Sequence, residues 1–162
     1  GADILMVETI FDSLNAKAAL VAIKESGSRL PVIISAAVGR GGETMISAQK
    51  VEALWTTFAH IDPLAIGLNC SLGPDLMEPF LKDLSKVATT HISCYPNAGL
   101  PNPLAPTGFD LEPRHMADYL AEFADAGLLN LAGGCCGNTP EHIAAIAQAV
   151  AGKTPRPIPS LG

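Results

Sequence analysis

Basic residues are scarce in this chain: ten lysines and arginines face sixteen acids across 162 residues, leaving a formal charge of -6 with no basic cluster. Nucleic acid and anionic membrane surfaces therefore find no electrostatic footprint, and neither is expected as a partner. Long hydrophobic runs are missing as well. Nothing reaches the ~18 consecutive apolar residues of a membrane span. The start, Gly1-Ala2-Asp3, carries no basic segment and no cleavage pattern, so the simplest compartment is the cytoplasm. There is no Cys-x-x-Cys pair to support dithiol redox chemistry. The glycine-rich stretch Gly39-Arg40-Gly41-Gly42 is not completed by Gly-Lys-Ser/Thr, so it reads as a flexible connection rather than a phosphate loop. The histidines His60, His91, His115 and His142 show no paired ligand spacing, and surface or capping roles suit them better than metal.

What is present is apolar material. A hydrophobic fraction of 48% with only 16% charged residues describes a globular chain with ample core. Its length suits one domain, yet falls well short of the roughly 250 residues of an eight-unit α/β barrel.

The chemistry gathers in the cysteines. Gly133-Gly134-Cys135-Cys136-Gly137 sets two adjacent thiols in a glycine cradle, and Cys70 closes Gly67-Leu68-Asn69-Cys70. Adjacent cysteines bridge each other poorly, because a disulfide prefers α-carbons roughly 5.5 Å apart while consecutive ones sit about 3.8 Å apart. A shared metal is the better use. Zinc takes thiolates tetrahedrally, and three protein ligands with one open position is the pattern of a catalytic site. Small buried residues lining a tight turn are the plain alternative, and a closed, non-catalytic zinc module is another. Cys94 lies mid-strand without a partner and reads as packing.

Along the chain, short apolar runs alternate with helical patterns. Ile4-Leu5-Met6-Val7 reads as a buried strand ended by Glu8-Thr9, followed by a helix capped by Asp12 with Leu14, Ala18, Val21 and Ala22 on its apolar face and Gly27 as its stop. Val32-Ile33-Ile34 is the second strand; Ser47 is expected to cap the next helix, with Val51, Leu54, Trp55 and Phe58 turned to the core. Leu64 to Leu68 form the third strand, and Pro74 opens a helix with Leu76, Met77, Phe80, Leu81 and Leu84 inside and a kink expected at Pro79. His91 to Tyr95 form the fourth, followed by a proline-bearing loop from Pro96 to Pro103 too long for a minimal connection. Pro113 begins a helix carrying Met116, Leu120 and Phe123 up to Gly127; Leu128 to Leu131 make a fifth strand; Thr139 and Pro140 open the last helix. The residues from Thr154 to Pro159 read as an extended linker.

Five strand-helix units imply an α/β fold with a parallel sheet. Five-eighths of a barrel would take about 156 residues, close to this length, so a partial (β/α)8 barrel of TIM type is the leading architecture and a doubly wound open sheet the runner-up. Glu8, Cys70, Asn97, Cys135 and Cys136 all fall just after predicted strands, on the face where such proteins bind ligands.

Three stretches together, Gly67-Leu68-Asn69-Cys70, Pro96-Asn97-Ala98-Gly99-Leu100-Pro101-Asn102 and Gly133-Gly134-Cys135-Cys136-Gly137, resemble the homocysteine S-methyltransferase family, nearest to its cobalamin-dependent branch. The resemblance implies a (β/α)8 barrel of which residues 1–152 would be the last five units, with 153–162 a linker to a following domain. It implies zinc on Cys70, Cys135 and Cys136, and homocysteine as methyl acceptor. Glu8 would hold the substrate amino group, and Asn97 would lie at the metal and be able to occupy its vacant position. Methylcobalamin would be carried by another domain, and the cobalamin-binding and folate-binding domains of the same enzyme would be the partners. The family's first strands have no counterpart here, so weak autonomous activity and self-association through open sheet edges are expected.

Overall fold

The computed structural model describes residues 1–44 and 48–160. Five strands and five helices alternate: β1 (Leu5–Ile10), α1 (Ser13–Glu25), β2 (Val32–Ala36), α2 (Val51–Phe58), β3 (Ala65–Asn69), α3 (Pro74–Val87), β4 (His91–Tyr95), α4 (Pro113–Asp125), β5 (Leu131–Ala132) and α5 (Pro140–Val150). The strands pair in parallel and in chain order, β1 to β5. That order decides the architecture. A doubly wound sheet reverses direction at a switch point and places helices on both faces, whereas a sequence that never reverses, with right-handed crossovers, sends every helix to the same face. The fold is therefore five consecutive βα units of a TIM-type barrel.

Register assigns the two faces. Val7, Ile34, Ile66 and Ile92 are aligned, as are Ala36, Leu68, Cys94 and Ala132. These side chains join the core with Leu54, Phe58, Met77, Leu81, Leu84, Met116, Leu120 and Phe123 from α2, α3 and α4. The opposite face carries the intervening residues, among them Ser35, Gly67 and Ser93 in one row and Asn69 and Tyr95 in the next. Polar groups thus accumulate on the inner face toward the carboxyl ends of the strands.

Several boundaries differ from the sequence reading. β1 runs on to Ile10 through a register shift after Val7, and Thr9 adopts a left-handed φ of 56°. A bulge at a strand end re-aims the side chains around it, here Glu8 and Thr9. Asp12 does cap α1, accepting from the Leu14 N–H at 3.2 Å. The expected apolar face of α1, however, is turned outward: Leu14 is 71% exposed, Ala18, Val21 and Ala22 are exposed too, and Ser13 and Ala16 are the buried positions. The stripe Leu14-Ala18-Val21-Ala22 has the right period but lies on the side away from β1. β5 is only two residues long because Leu128 and Leu129 pack into the core, while Asn130 pairs with Ile92 through both its backbone N–H and its side-chain oxygen. The loop at Gly39 is hydrogen-bonded rather than a loose tether, with Gly39 N–H to the Glu43 carbonyl at 2.9 Å. Ser47 lies outside the described residues, and α2 begins after Lys50, which makes no side-chain cap.

Near the amino ends of the strands, the tail is anchored. Arg156, 4% exposed, donates to the carbonyls of Thr90, Ala88 and Ser85 at 2.7–2.9 Å. No helix among the described residues is long and apolar enough to cross a membrane.

Candidate metal centre

Cys70 follows the last residue of β3 with φ of 62°, and Ser71 repeats the conformation at 66°. Non-glycine residues held left-handed cost on the order of 1–3 kcal/mol each and persist where the surroundings fix them. Here the Cys70 N–H donates to the Tyr95 carbonyl at 3.1 Å, and Leu72 N–H closes back on the Cys70 carbonyl at 2.7 Å.

Cys135 and Cys136 enter from the loop after β5. Two of the cradle glycines are required for different reasons. Gly137 has φ of +77°, where a β-carbon is strained, while a β-carbon on Gly134 would run into the carboxamide of Asn138. That carboxamide donates to the carbonyls of Pro96 at 3.1 Å and Cys135 at 3.2 Å, tying the two-cysteine turn to the loop after β4. The same loop supplies Asn97, 6% exposed, whose Oδ1 accepts the Cys136 N–H at 3.0 Å. Ala98 N–H donates in turn to the Cys136 carbonyl at 2.9 Å.

The result is three sulfurs, from Cys70, Cys135 and Cys136, all within 4.8 Å of one another, with Cys70 and Cys136 at 3.6 Å. Thiolates bound tetrahedrally to zinc at about 2.3 Å stand roughly 3.8 Å apart. The donor set and its spacing fit that ion with small adjustments. Electrostatics point the same way. Burial, with the neighbouring Cys70 adding to it, pushes the Cys135 thiol up to about 11. The hydrogen bond with Cys70, followed by burial, raises Cys136. Clustered thiols resist ionisation because each thiolate would face the others, and a cation removes that resistance. Cys94 is a different case: it is fully buried against the Met77 sulfur at 3.6 Å, and burial alone pushes it up to about 12. It is a packing residue.

Asn69 stands in the Gly67-Leu68-Asn69-Cys70 motif, and the sequence alone assigns it no task. Its side chain, 1% exposed, accepts from Thr9 N–H at 3.1 Å and Ser35 Oγ at 2.7 Å, and donates to Thr9 Oγ1 at 2.8 Å and toward Cys135 Sγ at 3.9 Å. An asparagine ending a strand beside a ligand-type cysteine was the available signal. Glu8 stands in the bulge beside Thr9 with its carboxylate exposed. Burial raises the Tyr95 phenol, and the charge of Glu8 adds a smaller contribution in the same direction. His142 closes a capping box with Thr139: its Nδ1 accepts the Thr139 N–H at 3.1 Å, which leaves Nε2 to donate to the Leu111 carbonyl at 2.9 Å.

A family model described as homocysteine S-methyltransferase matches residues 1–150. Among solved structures, the chain is similar to the homocysteine methyltransferase MmuM from Escherichia coli. Against its apo form the identity is 25%, covering 92% of this chain and 50% of that one, with a TM-score of 0.72. Against the metallated form the identity is 25%, covering 91% and 45%, again with a TM-score of 0.72. The oxidized form gives 26%, 91%, 46% and 0.68. The chain thus spans about half the length of these solved relatives.

Proposed function

The chain belongs to the homocysteine S-methyltransferase family, and we propose that it is the zinc-bearing part of a methionine synthase, in which homocysteine takes a methyl group from methylcobalamin carried on another domain. The observation that carries this reading is the trio of sulfurs within 4.8 Å of one another.

Cys70, Cys135 and Cys136 would hold the ion as thiolates. When bound, zinc supplies the charge that draws the proton from a coordinating thiol, whose ordinary pKa is about 8.5, and so makes homocysteine a nucleophile at neutral pH. Three anionic protein sulfurs outweigh the ion's two positive charges, which keeps the substrate sulfur electron-rich. Glu8, exposed at the β1 bulge, pairs with the substrate α-ammonium and fixes its direction. Asn97 spends one oxygen lone pair on the Cys136 N–H, which holds the two-cysteine turn; the rest of its carboxamide would serve the substrate or the metal's fourth position. In the transfer the homocysteine sulfur would bond to the methyl carbon as the carbon–cobalt bond breaks and its electron pair stays with the cobalamin; the thiol proton would already have been lost to solvent on coordination, so the transfer step would need no general base.

The loop around Asn97 resembles the cobalamin-dependent enzymes more than the betaine-dependent or S-methylmethionine-dependent ones, which favours methylcobalamin as donor. The test has two arms. X-ray absorption of the zinc-loaded chain should gain a sulfur ligand when homocysteine is added, and an unchanged ligand set would overturn the activation scheme. Methionine formation, assayed separately with methylcobalamin, betaine and S-methylmethionine on a barrel completed with the family's other strands, identifies the donor. Turnover only with betaine or S-methylmethionine would reassign it.

A further inference from the structure

The Asn69 carboxamide touches the ends of three strands and the two-cysteine turn at once. It sits at the end of β3, its partners Thr9 and Ser35 belong to β1 and β2, and Cys135 follows β5. Its orientation is fixed by chemistry: Thr9 N–H can only donate, so the atom it meets at 3.1 Å is the carboxamide oxygen. Ser35 Oγ reaches the same oxygen at 2.7 Å. The amide nitrogen therefore points the other way, giving one hydrogen to Thr9 Oγ1 at 2.8 Å and directing the second at Cys135 Sγ, 3.9 Å away. With the side chain buried to 1% exposure, bulk water has no access to compete for these hydrogens.

We propose that Asn69 is a positioning residue that sets the thiol cluster and the substrate's ammonium subsite in register, its N–H directed at the Cys135 sulfur and its oxygen clasping the β1 bulge that carries Glu8. This rests on the zinc and homocysteine reading above. A donated N–H stabilises a thiolate and fixes the direction of its free lone pairs, the role that groups behind metal ligands generally fill. Because Thr9 is held at both its backbone N–H and its hydroxyl, the adjacent Glu8 cannot shift relative to Cys135 without breaking contacts to one amide. A clasp that served the fold alone would need the oxygen contacts but not the donor aimed at sulfur.

Asn69→Asp separates these roles. Aspartate has the same shape and keeps an oxygen for Thr9 N–H and Ser35 Oγ, yet it replaces the donor beside Cys135 with an acceptor. With the full chain, zinc affinity measured by chelator competition should fall roughly ten- to hundredfold, the usual effect of losing a partner behind a ligand. In the cobalt(II)-loaded chain the thiolate-to-metal absorption band should move. Homocysteine binding should weaken as well. Thr9→Val is the second variant: it keeps the Thr9 N–H contact, removes the hydroxyl that anchors the amide nitrogen, and should weaken zinc binding in the same direction by a smaller factor. If Asn69→Asp folds but its zinc affinity and cobalt spectrum match the wild type, Asn69 is a structural clasp and the proposal fails. If Asn69→Asp does not fold, Thr9→Val decides by the same two readouts. Wild-type chain that binds zinc and homocysteine while both variants behave identically to it sinks this inference alone; wild-type chain that binds no zinc sinks the functional reading together with it.

Discussion

Cys70 and Cys136 are 66 residues apart in sequence, and their sulfurs stand 3.6 Å from each other. Each arrives by its own route, one through a left-handed residue after β3 and the other through a turn held by Asn97 and Asn138. Backbone contacts on both sides therefore set the geometry of the cluster. Replacing Cys70, Cys135 or Cys136 singly with alanine is expected to abolish stoichiometric zinc while leaving the fold in place, since none of the three is fully buried. Metal analysis after dialysis against a chelator checks this, and zinc at wild-type affinity in Cys135→Ala would refute the three-thiolate site. Retention should also weaken as pH falls, because protons compete for the sulfurs.

Glu8→Gln removes a charge and keeps the shape. Homocysteine binding should weaken by about 1.5–3 kcal/mol, the range for a hydrogen bond to a charged group, with zinc affinity unchanged. Calorimetric titration of the zinc-loaded protein measures both quantities. Loss of zinc instead would make Glu8 a structural residue.

The parts of this molecule that sequence made legible are those where one physical cause acts alone. Strand β4 is legible to the residue, since His91 to Tyr95 is bounded by polar residues and a proline. The cores of α2, α3 and α4 followed from period, and the buried set from Leu54 to Phe123 matches it. Period alone failed for α1, because it says which residues share a face and not whether anything covers that face; Ala16 is buried and Leu14 is not. It failed again at β5, where Leu128 and Leu129 look like strand but are core residues ahead of a short pairing. The sulfur cluster was visible because glycine and cysteine are chemically unusual. The Asn69 and Asn138 contacts that orient it were not, as an asparagine's partners depend on where distant loops arrive.

Metal-free protein should lose stability in alkali. Burial pushes the Cys94 thiol up to about 12, and Cys135 is pushed up to about 11. Between the unfolded and folded values the native state holds protons that the unfolded chain releases, so stability is complete below about pH 9 and declines as pH rises toward 12. Denaturant unfolding at stepped pH should show this limb, and Cys94→Ala should flatten it. An alkaline limb equally steep in Cys94→Ala would assign the effect elsewhere.

Arg156→Ala should destabilise the chain by on the order of 3 kcal/mol, because it strips charged donors from three carbonyls, those of Ser85, Ala88 and Thr90, two of these contacts being buried. Zinc affinity should be unaffected, as the latch lies near the amino ends of the strands and the thiols at the carboxyl ends. Chemical denaturation with and without metal separates the two. A cost below about 0.5 kcal/mol, the level of ordinary surface substitutions, would show that the tail after Lys153 contributes little.

Among the described residues β1 and β5 each pair on one side only, and so leave a row of backbone N–H and C=O groups for another strand. β5 offers little, being two residues long. β1 offers more: six residues, flanked and lined by Ile4 at 44% exposure, Met6 at 43% and Phe11 at 40%. Five parallel strands do not close into a cylinder of eight, so the inner face beside β1 is open on the same side as this apolar row. Self-association through β1 is the expected outcome in solution, and sedimentation at several concentrations should show mass rising with concentration. Met6→Lys and Ile4→Lys place charge on that edge, the means by which edge strands are commonly blunted, and should shift the population to monomer without altering zinc binding. The family's remaining barrel strands, added as a separate polypeptide, should compete with self-association and strengthen homocysteine binding, because they cover the same edge and complete the pocket around Glu8. A wild-type chain that stays monomeric at all concentrations, and binds homocysteine no better when those strands are supplied, would show that the edge at β1 is neither sticky nor part of the site.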